Sequence, residues 1–146
     1  MKPSKKPFSR HLYDNDDKAK HIVVDWLNDM GFKAEVNEER YGIDVVSVPA
    51  GLVGIEVEVK HNWKGPTFPY DTLHYSWRKV KFLDVAENVF FTTLNHEKDC
   101  MLIVSGDALE AAAKKAVYKD TKYTSHEAFM EIPIADCEYV KLTNGQ

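Results

Sequence analysis

Apolar residues recur every three or four positions at Ile22, Val23, Trp26, Leu27 and Met30. That spacing predicts an amphipathic helix, capped at its start by Asp14 or Asp16 and ended by Gly31. Beyond Gly31 the period drops to two. Residues 32–36, 43–48 and 53–60 read as three strands, with a turn over 49–51 between the last two, and the short connections predict antiparallel neighbours. Residues 61–72 are irregular, interrupted by Gly65, Pro66 and Pro69. A second helix is expected over 74–87 with Trp77, Val80 and Leu83 facing inward. Strands follow at 89–94 and 100–104 around a polar turn, then an alanine-rich helix from 107 to about 118. Short closing strands are expected at 129–134 and 138–142, the first confined to an edge by Pro133.

Helices and strands interleaved in this order predict a single α/β domain over residues 14–146, built on a mixed sheet. Its 146 residues suffice for one core, and 44% hydrophobic with 29% charged residues is a soluble composition. No apolar run reaches the roughly 18 residues that span a bilayer, so no membrane partner is expected. Residues 1–13 hold Lys2, Lys5, Lys6 and Arg10, two prolines and no acid, and read as a basic flexible arm. No apolar stretch follows them, so no secretory signal is expected and the location implied is cytoplasmic. Cys100 and Cys137 are far apart in apolar contexts, and reduced, buried thiols fit such a compartment.

The net charge of −4 argues against nucleic acid as a partner, but its distribution does not. Lys60, Lys64, Arg78, Lys79 and Lys81 form a second basic cluster whose one acid is Asp71, while acids gather in residues 14–58. Along residues 53–60, alternation sends Ile55, Val57 and Val59 to one face and Glu56, Glu58 and Lys60 to the other. Asp44 opens the neighbouring strand. Two carboxylates on adjacent strands suit Mg²⁺, which takes hard oxygen ligands and keeps several waters. The Val59 carbonyl offers a third oxygen, and Lys60 a compact charge to offset that building on a phosphate.

A helix, three antiparallel strands, a helix and a strand, with Asp44 followed by Glu58-Val59-Lys60, resembles the PD-(D/E)xK nuclease superfamily. That family includes restriction endonucleases, Holliday-junction resolvases, nicking enzymes and small phage nucleases. The similarity spans about residues 16–94, with Ile43 where the motif usually has proline. It implies a restriction-endonuclease-like core, α-β-β-β-α-β, here with an additional strand and a C-terminal helix. It further implies a metal-dependent DNA endonuclease using Mg²⁺, with Mn²⁺ able to substitute. Asp44, Glu58 and the Val59 carbonyl would be the ligands, and Asp44, Glu58 and Lys60 the catalytic set. Some members add an acid from the first helix, for which Asp17 and Asp25 are candidates, against solvated helix acids. Glu56 is a candidate to stand behind the ligands, or a plain surface acid.

Asp71-Thr72-Leu73-His74 with Arg78-Lys79 is loosely similar to small phage members, which would place the chain in a host's cytoplasm. On a helix His74, Arg78 and Lys81 form one stripe, and with Lys79 they either grip phosphates or form an ordinary basic face. Trp63, Phe68, Tyr70 and Tyr75 either stack on unpaired bases or pack in the core, where Trp77 belongs. No zinc spacing, phosphate-binding loop or serine elbow is present. The size leaves little room for long-sequence recognition, so structure-selective or nicking cleavage of DNA is expected, by a homodimer where both strands are cut. The alternatives are a non-catalytic nucleic-acid-binding accessory protein that retains the fold, and an α/β interaction module.

Overall fold

The structure, a computed structural model, describes residues 10–39, 41–119 and 127–142. Its first element is helix α1 (Arg10–Asp29), closed by Gly31 at φ 94°. The helix therefore starts inside the expected arm, with Asp14 and Asp16 within it rather than capping it, and residues 1–9 lie outside the described residues. Strands β1 (Ala34–Val36), β2 (Val45–Ser47) and β3 (Val53–Val59) follow as antiparallel neighbours, with Gly51 at φ 97° in the turn before β3.

The segment after residue 71 departs from the helix expected there. Thr72–Ser76 is a strand, β4, followed by a 3₁₀ turn over Trp77–Phe82. The alternation of buried Leu73 and Tyr75 with half-buried Thr72, His74 and Ser76 prevails over the helical spacing. Next come β5 (Asn88–Leu94), β6 (Cys100–Ser105) and helix α2 (Gly106–Ala113), capped by the Ser105 side chain on the Ala108 N–H. The helix is shorter than its alanines suggested and is not C-terminal. Strands β7 (Val117–Lys119), β8 (Glu127–Pro133) and β9 (Glu138–Lys141) follow it.

Six strands form one sheet in the order β1-β2-β3-β5-β6-β9, in which only the β3–β5 pair is parallel. A smaller antiparallel sheet runs β4-β8-β7. Pro133 thus lies at the last position of a central strand, where its missing N–H costs little, and not on an edge strand.

Strand β6 shows why this is a layered α/β protein. Its run Cys100-Met101-Leu102-Ile103-Val104 is buried throughout, as expected of a strand covered on both faces. Met101 and Ile103 join Ala19, Val23, Val24 and Leu27 of α1 in one core; Cys100, Leu102 and Val104 join Leu73, Tyr75, Leu109, Met130 and Ile132 in another. The large sheet is therefore packed between α1 and a layer made of the small sheet, the 3₁₀ turn and α2. Among the described residues no helix is long and apolar enough to cross a membrane.

Candidate active site

Strand β3 lies between β2 and β5, so both its faces are covered and its polar residues need partners. Ile55 and Val57 enter the core beneath α1, whereas Glu56 and Glu58 turn to the opposite layer. Glu56 is only 6% exposed. The register that sets Val45 against Ile55 continues one step to bring Asp44 opposite Glu56. Asp44, Glu56 and Glu58 consequently form a row across two strands.

Each acid is bound differently. Asp44 Oδ2 accepts the Val57 N–H at 2.8 Å, and Oδ1 lies 3.2 Å from the Lys20 ammonium. Lys79, from the 3₁₀ turn, reaches over the row. Its Nζ is 2.9 Å from Glu56 Oε2 and also donates to Glu58 Oε1. Glu56 Oε1 is buried with no partner. Burial drives the Glu56 carboxyl up to about 7, Lys79 opposes the rise, and the charge and hydrogen bonding of nearby Asp44 add to it. Two acceptor groups facing each other in this way can share only a proton or a cation. Burial alone would lower the Lys79 ammonium, but Glu58 and Glu56 hold it above the usual lysine range.

Lys60 follows β3, half-buried, its N–H bonded to the Leu94 carbonyl and its Nζ 5.2 Å from the centre of the Tyr70 ring. The ammonium shown between two of the acids is thus that of Lys79. Val59 ends β3 with its side chain against the α1 layer. From α1, the residue delivered to Asp44 is Lys20. Asp17 is exposed and 3.9 Å from His21, and Asp25 is also exposed.

The helical stripe of His74, Arg78 and Lys81 does not exist, because His74 is in β4 and the others are in the 3₁₀ turn. His74 Nε2 lies 3.1 Å from Glu131, and Arg78 lies 3.0 Å from Glu127, so β8 sets an acid against each. Lys81 is exposed beside the Phe82 ring. Among the aromatics, Trp63 and Tyr75 are core residues and Tyr70 is exposed. Trp77, expected inside, is 44% exposed and donates its indole N–H to the Ala113 carbonyl.

The loop that carries Tyr70 is pinned from the β5–β6 turn. Buried Asn95 donates to the Gly65 carbonyl at 3.0 Å and accepts the Asp99 N–H. Phe68 then meets Trp63 and Tyr70 edge-on, and Asn62 donates to the Tyr70 hydroxyl at 2.8 Å.

Two roles beside the acids went unread in the sequence, that of Lys20 and that of Lys79, which was expected to contact phosphate. Lys20 has a detectable signal, since it shares the i, i+4, i+7 stripe with buried Val24 and Leu27. Lys79 has none, because its position depends on a turn that replaces a helix.

Among the described residues no three His, Cys, Asp or Glu side chains form a ready metal cage. Mg²⁺ does not require one, since one or two carboxylates plus substrate phosphate hold it. The orphaned Glu56 oxygen beside Asp44 fits such a cation. Comparison of the chain with models of protein families and with curated proteins gave no match.

Proposed function

We propose that this chain is a divalent-metal-dependent DNA endonuclease with a restriction-endonuclease-like core, cutting phosphodiesters with little long-sequence preference. The observation that carries this reading is the row Asp44, Glu56 and Glu58, whose buried Glu56 Oε1 lacks a partner. A buried carboxyl oxygen set against a second carboxylate calls for a proton or a cation between them, and the cation is the choice that supports this reading. The path α1-β1-β2-β3, then a crossover to a parallel β5, is compatible with the fold that the motif implies.

Asp44 and Glu58, with Glu56 between them, would hold Mg²⁺ or Mn²⁺, and the ion would supply Lewis acidity at the phosphodiester. The chain's own contribution is positional. The Val57 N–H and Lys20 fix the Asp44 carboxylate. Lys60, past the end of the same strand, offsets negative charge as it accumulates on the phosphate oxygens. The Tyr70 ring lies beneath that ammonium.

The test is incubation with supercoiled plasmid and with linear, nicked, flap and four-way DNA, in Mg²⁺, Mn²⁺ or EDTA. Metal-dependent nicking is expected. A folded protein that retards DNA but cuts none of these substrates would instead be the non-catalytic binder. The neutralisation of the acids by Lys20 and Lys79 favours that second reading.

A further inference from the structure

Lys79 bonds to both glutamates of the row from outside the sheet that carries them. It sits on the 3₁₀ turn Trp77–Phe82, which Ser76 caps and the Trp77 indole ties to α2. A long, unbranched side chain on a short turn can withdraw without disturbing β3. One oxygen it occupies, Glu58 Oε1, is also one that a divalent cation held by the row would need.

Resting on the metal-dependent reading above, we propose that Lys79 is the resident cation of this site: its ammonium satisfies Glu56 and Glu58 until a divalent ion displaces it from Glu58. Two positive charges drawn to the same oxygens repel each other, so ion binding and the Lys79 contact weaken one another by the same factor. Lys79 is thereby a positioning residue that sets metal affinity.

The experiment is calorimetric titration of Mn²⁺ into DNA-free protein, for wild type, Lys79→Met and Lys79→Arg. The methionine removes the charge at similar length, and the arginine keeps it. Lys79→Met is expected to bind Mn²⁺ about tenfold tighter than wild type. In EDTA its melting temperature should fall below that of wild type, and Mn²⁺ should raise it further than it raises wild type. Lys79→Arg should stay near wild type. Lys79→Met binding no tighter, while wild type takes up Mn²⁺ and nicks plasmid, overturns the role of Lys79 and leaves the nuclease reading intact. No Mn²⁺ uptake and no nicking by wild type removes both. If Lys79→Met does not fold, the side-chain ammonium signal of Lys79 in wild type decides by NMR. It should be slow to exchange in EDTA, shift or vanish with Mg²⁺, and return on chelation. An unmoved signal with Mg²⁺ bound overturns the proposal.

Discussion

The hydroxyls of Tyr75 and Thr93 meet at 2.6 Å, joining the small sheet to the large one at the residue paired with Glu58 across β3 and β5. Burial, with a further push from the Glu58 charge, holds the Tyr75 phenol well above its ordinary range, so it stays a neutral partner beside the acids. Tyr75→Phe would leave Thr93 Oγ1 buried without that bond and should cost about 1–2 kcal/mol. Urea unfolding of Tyr75→Phe, Thr93→Val and the double variant checks this. A double variant no worse than either single one is expected, because the bond is lost only once.

Asp44→Asn keeps an oxygen that can accept the Val57 N–H, so the fold should survive while nicking is abolished. Far-UV circular dichroism and a plasmid assay across a Mg²⁺ titration test the pair of outcomes. An unchanged Mg²⁺ dependence would remove Asp44 from the ligand set. Lys60→Ala should end cleavage yet leave gel retardation of DNA largely intact, and wild-type turnover in that variant would refute the part given to Lys60.

Glu56 gives stability a dependence on pH. Its carboxyl moves from the usual 4.5 to about 7 in the folded chain. Between those values the folded state holds a proton that the unfolded state has released, so stability is greatest at the acid end of this window and falls as pH rises through it. The full effect is about 3 kcal/mol. Urea midpoints from about pH 5 to about pH 8 should decline in metal-free wild type and vary much less in Glu56→Gln. Equal slopes would mean that the burial of Glu56 is not felt.

The two thiols should be sluggish. Burial raises both Cys100 and Cys137, the latter to about 11 with Asp136 adding to the rise. Little thiolate is present near neutrality, so labelling by a disulfide reagent at about pH 8 should be slow in the native protein and fast in urea. Rapid native labelling of either would contradict that environment.

Trp63 is fully buried between its loop and the core. Trp63→Ala should cost about 3–5 kcal/mol and loosen the loop bearing Tyr70. The loss is measured by thermal melting, and the loosening by hydrogen exchange at residues 61–71.

Period and punctuation made the first half legible. The helix stripe at Val23 and Leu27, the turn at Gly51 and the alternation of β3 each follow from local rules, and β1, β2 and β3 pair as those rules imply. Residues 72–82 were ambiguous because Leu73, Tyr75, Val80 and Leu83 satisfy both periods in part. Only pairing with β8, more than fifty residues later, selects a strand there. The site was half legible for the same reason. Asp44, Glu56 and Glu58 stand out on their strands, but whether Glu56 faces solvent depends on a second layer that no local pattern announces. The partners of His74 and Arg78 come from that layer too.

Leu142, just past β9, is buried among the α1 residues, and its N–H bonds to the Asp99 carbonyl. Both extremities of the described chain therefore share one core. While the protein is being made on a ribosome, α1 emerges first and finds β1, β2 and β3 soon after, whereas the far side of the same core closes only when residue 142 clears the exit tunnel. A premature stop before β9 would leave the β6 edge of that core open and mark the fragment for proteolysis.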